Sequence, residues 1–236
     1  MPLFANSATS TRGRGALRRA VALSLRATAL LVLAAAALLI VYRFLPPVST
    51  LMLGRWLSLQ PVARDWVPLS AVSPHLPRAV IAAEDARFCL HGGVDWGALR
   101  AVIEEAGEHG PARGASTIAM QTAKNVFLWP GRSYLRKAAE IPLALAVDTL
   151  WSKRRVMEVY LNIAEWGDGL FGAEAAARRY FRKSARALTA REAALLAAAL
   201  PNPLVRDPAR PSRYVATYAA RISGRLREAD ATCLDS

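Results

Sequence analysis

Ala27 to Tyr42 run for sixteen residues without a charge, between Arg26 and Arg43. As a helix this run spans about 24 Å, short of a hydrocarbon core of about 30 Å. The flanking arginines can snorkel, and the apolar stretch widens to Ala20–Leu45, so a single tilted transmembrane helix is expected over residues 27–45. After it, Pro46 to Pro74 carries five prolines and reads as a linker, residues 46–76, packing along the domain. From there helical spacing dominates and strand-like alternation is scarce, which predicts a mainly α body. Pro77 suits the first turn of a helix through Ala86, with Val80, Ile81 and Glu84 on one side. Asp95 caps a second helix through Glu105, and Glu108 to Gly114 reads as a loop. Ser116 or Thr117 caps the next helix. Arg132, Arg136 and Glu140, four apart, form a stripe on another helix that Pro142 should limit. Ser152 caps a helix to Ile163 with Val156, Val159, Tyr160 and Ile163 inward. Thr189 and Glu192 have capping-box form, opening an Ala/Leu helix that Pro201 stops. That helix is apolar on all sides and should be buried.

Composition sharpens the picture at three points. Hydrophobic residues are 53% and charged ones 21% of the 236, which excludes a disordered chain. The net charge is +13, and five arginines (12, 14, 18, 19, 26) with no acid precede the span. That asymmetry predicts a cytoplasmic basic tail, residues 1–26, and export of everything after the span. A cleaved signal peptide is the alternative, but no small-x-small site follows the apolar run. With those arginines set aside the remainder keeps +8, and with the apolar Phe127-Leu128-Trp129 it should favour an anionic lipid surface. Nucleic acid fits the charge but not the exported topology. Cys89 and Cys233 have no C-x-x-C spacing and read as incidental, one bridge between them being the other reading. His75, His91 and His109 lack the i, i+4 pairing of a histidine metal site.

Four charged blocks carry candidate chemistry. In the first, Glu84 ends an apolar helix before Asp85, Phe88, His91 and two glycines, so its pKa can rise into general-base range in a desolvated cleft; a solvated helix-end acid is the plainer alternative. In the second, Gly114, Ser116, Thr117, Gln121, Lys124 and Asn125 offer neutral donors and a cation to a phosphate. The third is the Arg132–Arg136–Glu140 stripe, which a surface ion-pair ladder would explain equally well. In the fourth, Lys153 to Asn162, Glu158 follows Arg154 by four residues and Asn162 should brace backbone.

Together these blocks resemble the peptidoglycan glycosyltransferases: Glu-Asp-x-x-Phe-x-x-His-x-Gly (84–93), Gly-x-Ser-Thr-x-x-x-Gln-x-x-Lys-Asn (114–125), Arg-Lys-x-x-Glu (136–140) and Lys-x-x-x-x-Glu-x-Tyr-Leu-Asn (153–162). The likeness runs through Ala164-Glu-Trp-Gly167 to Leu200-Pro-Asn-Pro203, and Phe127 to Ser133 is most similar to the monofunctional biosynthetic branch. It implies a lysozyme-like glycosyltransferase domain, residues 77–236, with a small membrane-proximal lobe. The implied reaction joins lipid II into β-1,4-linked glycan strands with release of undecaprenyl diphosphate, at the periplasmic face of the bacterial inner membrane. The implied partners are lipid II, the growing strand, membrane lipids and other cell-wall synthases. By the same resemblance Glu84 is the general base and Glu140 a second donor-site carboxylate. Ser116, Gln121, Lys124 and Arg132 match donor-holding positions, with Thr117, Asn125 and Arg136 beside them. Asp85, Phe88, His91, Lys153, Glu158, Tyr160 and Asn162 complete the motifs structurally. Met120 stands where many relatives are polar.

Inversion at the anomeric carbon needs a base on one face and a departing group on the other. A diphosphate leaves unprotonated, so cations replace a general acid. Glu140 would then orient cations or hold a divalent ion, Mg2+ or Mn2+; no cofactor is otherwise implied. No lysine follows a serine by three positions, so the Ser-x-x-Lys of a transpeptidase is missing, and the 33 residues after Pro203 leave no room for such a domain. The alternatives are a glycan-cleaving lysozyme-like enzyme and a non-catalytic wall-assembly scaffold.

Overall fold

The structure is a computed structural model that describes residues 8–109, 114–131 and 133–235. It divides into two compact units, 1–42 and 43–236. The first is one helix, α1 (Ala8–Tyr42), whose Gly15–Tyr42 portion is long and apolar enough to cross a membrane. Residue 27 is therefore no boundary in the backbone. Arg18, Arg19 and Arg26 lie on the same helix as the apolar run, because Ala, Leu and Arg are all strong helix formers. The helix ends at Tyr42 rather than Leu45, ahead of Pro46 and Pro47.

The second unit begins at Arg43, three residues before the expected linker, and that linker segment folds into defined elements. Ser49 caps α2 (Thr50–Leu57), and Met52 on it is fully buried. β1 (Ala63–Arg64) and a 3-10 turn at Leu69–Ala71 follow. The rest is α3 (His75–Glu84), α4 (Trp96–His109), α5 (Ile118–Phe127), α6 (Tyr134–Leu150), α7 (Lys153–Ile163), β2 (Glu165–Gly167), β3 (Leu170–Phe171), α8 (Ala173–Phe181), α9 (Ala190–Ala199) and α10 (Arg213–Arg225). The three strands form a small sheet in the order β1-β3-β2, with β1 parallel and β2 antiparallel to β3. The pairing of residue 63 with residue 170 is how the proline-rich segment packs along the domain.

Helix caps fall largely where the side chains predict. Asp95 accepts from the Ala98 N–H (3.0 Å), Ser152 from Arg155 (3.2 Å), and Thr189 with Glu192 closes a capping box. Thr117, not Ser116, caps α5. α9 is buried from Ala193 to Ala199, held between α3 and α10. α4 continues to His109; of the expected loop, residues 110–113 lie outside the described residues and Gly114 is exposed and outside any helix.

Two expectations fail. Pro142 does not limit a helix; α6 runs through it. Pro142 has no N–H for the Ala138 carbonyl, yet the packing of α6 on α5 and the burial of the apolar Ala144 and Val147 offset the lost bond. Cys89 and Cys233 are not incidental but form a disulfide across a separation of 144 residues. Only the folded chain brings their Cα atoms to 5.5 Å, within the bridging range.

Candidate active site

α3 delivers Glu84 at its last turn and then stops, because Asp85 is needed elsewhere. One Asp85 oxygen accepts from the Ile118 N–H at the start of α5 (3.0 Å), and the other contacts His91 Nε2 (2.9 Å). Thr117 donates its hydroxyl to the Gly93 carbonyl (2.6 Å) while accepting from Met120 N–H. Lys153 Nζ donates to the His91 carbonyl (2.6 Å), pairs with Asp148 (2.6 Å) and lies 4.7 Å from the centroid of the buried Phe88 ring. The 84–93 segment is thus tied to α5, α6 and α7 at once. Gly93 sits at φ 84°, and a Cβ there would lie 2.6 Å from the Ala144 carbonyl oxygen, so only glycine fits.

Glu84 is partly buried and accepts from Gln121 Nε2 at 2.8 Å. Burial raises its pKa, with the Gln121 bond and the charges of Lys124 and Arg206 opposing. Gln121 in turn takes the Tyr160 hydroxyl on its Oε1 (3.1 Å). One turn beyond Gln121 along α5, burial lowers the pKa of Lys124, with the Glu140 charge acting against that trend. The Lys124 amine has no hydrogen-bond or ion-pair partner among the described residues. It lines a cavity of about 370 Å³ with Asn125, Trp129 and Arg136. Glu84 lines another, of about 230 Å³, with Arg87, Asp95, Ser116 and Thr117.

Glu140 is buried, and both its oxygens are engaged, one by Arg136 and the other by Lys137 (3.0 Å). Lys137 also donates to Ser116 Oγ (2.7 Å). A carboxylate already flanked by two cations is a poor ligand for a divalent ion, and no group of three His, Cys, Asp or Glu side chains among the described residues could hold one. The residues present do not fit Mg2+ or Mn2+ at Glu140.

The remaining motif residues brace the site. Glu158 pairs with Arg155 (2.5 Å), not Arg154, and accepts from the Leu69 N–H (2.9 Å). Arg154 instead donates to the Leu234 carbonyl. Asn162 exchanges two hydrogen bonds with Val67, as expected of a backbone brace. Met120 is fully buried core. Arg132 lies outside the described residues. Of the apolar trio, Leu128 is buried and only Trp129 is exposed. Asp148 and Arg206 carry no motif signal in the sequence, whereas Lys137 is the lysine of the Arg-Lys-x-x-Glu block, three residues before Glu140, where helical spacing allows a pair.

A partly buried carboxylate lining one cavity, and an unpartnered lysine beside a paired arginine lining another, make this a candidate site for glycosyl transfer from an anionic leaving group. The family is fixed by comparison: residues 52–227 match the model of the transglycosylase family, and the chain belongs to it. It is 54% identical over 207 residues to the biosynthetic peptidoglycan transglycosylase of Brucella suis biovar 1 (strain 1330), covering 87% of this chain and 92% of that one. A protein of the same name from Rhodospirillum centenum is 53% identical over 214 residues (86% and 93%). That from Rhodopseudomonas palustris (strain HaA2) is 50% identical over 216 (91% and 95%). The chain is an enzyme, a peptidoglycan glycosyltransferase, with an N-terminal helix compatible with a single-pass membrane anchor.

Proposed function

We propose that this enzyme polymerises lipid II into β-1,4-linked glycan, with Glu84 as the general base and Lys124 and Arg136 holding the departing diphosphate. The observation that carries the reading is the Lys124 amine: a desolvated cation without a protein partner among the described residues, lining a cavity with Arg136 and close enough to Glu84 for their charges to interact. In that position it meets negative charge that grows as the diphosphate leaves. Glu84 takes the proton of the acceptor 4-hydroxyl as the new glycosidic bond forms and the anomeric carbon inverts. Glu140 keeps Arg136 and Lys137 in place and does no acid–base work, since both its oxygens are occupied. Arg132 joins the cradle by its motif position. The five arginines ahead of the apolar run support a cytoplasmic N-terminus, an inner-membrane anchor and a periplasmic catalytic unit.

The raised pKa of Glu84 also suits the proton donor of a glycan-cleaving enzyme, which is the second reading. One assay separates the two. Purified protein is incubated with lipid II, and in parallel with preformed glycan strands, and products are resolved by length. Polymer from lipid II, unchanged preformed strands and no polymer with Glu84→Gln are expected. Shortening of preformed strands without polymerisation would overturn the proposal.

A further inference from the structure

Tyr160, on α7, is 1% exposed, and its hydroxyl has one partner among the described residues, Gln121 Oε1 at 3.1 Å. The other end of the same amide, Nε2, donates to Glu84 Oε2 at 2.8 Å. An amide has one accepting end and one donating end, so the two contacts are coupled. If Gln121 turned over, its N–H would face Tyr160 and the phenolic proton would be left in the core with no acceptor, a costly state for a buried donor. We infer that Tyr160 is a positioning residue for polymerisation, fixing the Gln121 amide with its N–H towards Glu84 so that Glu84 stays a carboxylate with Oε1 available to the acceptor hydroxyl. This rests on the reading of Glu84 as the base.

Burial keeps Tyr160 protonated, its pKa lying well above the ordinary value, so it remains a donor throughout the working range. Other groups facing Glu84 are Lys124 on α5, Arg206 after α9, Tyr218 on α10 and the adjacent Asp85. Arg87 and Asp95 line the same cavity. None of these hydrogen-bonds to the Gln121 amide, so the Tyr160 hydroxyl is a separable influence.

The test is the pH dependence of kcat/KM for polymerisation by the full chain. Tyr160→Phe removes one oxygen and frees the amide to turn its carbonyl towards a protonated Glu84. The acid limb should move up by roughly 0.5 to 1 in pH, a loss of about three- to tenfold below the limb that vanishes above it. Affinity for a diphosphate-bearing lipid analogue should not change. Gln121→Met alone should move the limb at least as far, and Tyr160→Phe added to it should move it no further. An unmoved limb in either single variant overturns the inference. So does a loss equal at every pH with a lowered melting temperature, or a displacement by Tyr160→Phe that persists without Gln121. Glu84→Gln separates the layers: if it still polymerises, the base reading falls; if it is inactive while Tyr160→Phe leaves the limb in place, only the inference falls.

Discussion

Burial raises the carboxyl of Glu84 and lowers the amine of Lys124, so each charge is held against a desolvation cost, and this has consequences for stability as well as reaction. A carboxyl whose folded pKa lies above its unfolded one binds more protons in the native state, so its contribution to stability falls as pH rises through that interval and stays low above it. Glu84→Gln should therefore raise the melting temperature at neutral pH, and the gain should vanish once pH drops below the ordinary carboxylate range. A lower melting temperature at neutral pH would contradict the desolvation account. The same variant should bind lipid II about as well as the parent, because the amide keeps the shape and a hydrogen bond. Lys124→Ala should lose about 1.5–3 kcal/mol of binding, roughly 10- to 100-fold, through a missing charge-assisted contact; titration of both variants checks the contrast. These two residues were legible in the sequence because their motifs combine chemistry with order along the chain. Arg206 and Asp148 were not, since the charge of the one on Glu84 and the pairing of the other with Lys153 arise from the fold and not from a motif position.

At the scale of elements, the first turn of α5 is the joint on which the site depends. Thr117 caps it from within, Asp85 accepts its first N–H from α3, and the Thr117 hydroxyl fixes the Gly93 carbonyl. Gly93→Ala should cost about 2–4 kcal/mol, combining a disfavoured positive φ with a methyl pushed into the Ala144 carbonyl. Gly114→Ala, where added bulk meets nothing within 4 Å, should be nearly neutral, and denaturation midpoints of the pair test this. Equal costs would mean that the Gly93 contact is relieved by movement of α6. Capping residues in this region were readable from sequence, since a cap is a local interaction. Pro142 was misread for the opposite reason. Local rules end a helix there, while packing along α5 continues it to Leu150. That continuation also keeps Asp148 on α6, where it meets Lys153.

Over the whole molecule, neither the disulfide nor the folded 46–76 segment could be read from spacing, because both depend on contacts more than 80 residues apart, such as Leu69 to Glu158 and Cys89 to Cys233. Reduction, or Cys89→Ala with Cys233→Ala, should lower stability by about 2–5 kcal/mol, since the bridge closes a long loop. Activity should fall with it, Cys89 standing within the segment that follows Glu84. Equal melting temperatures with and without reductant would show that the bridge constrains little. The last consequence concerns lipid. The unit from Arg43 onward carries +8, and its first helix leaves Trp56 and Leu57 exposed, with Leu59 94% exposed just after them. A fragment beginning at Arg43 should bind anionic vesicles without α1, by charge and apolar contact together. Raising salt from 0.1 M to 1 M shortens the screening length from about 10 Å to 3 Å, so the electrostatic share should disappear and an apolar remainder persist. Leu57→Gln with Leu59→Gln should remove that remainder while leaving the melting temperature in place, because neither side chain packs in the core. Cosedimentation across a salt series separates the two shares. Binding insensitive to salt would make insertion the whole of the attraction, and no binding at low salt would leave α1 as the only hold on the membrane.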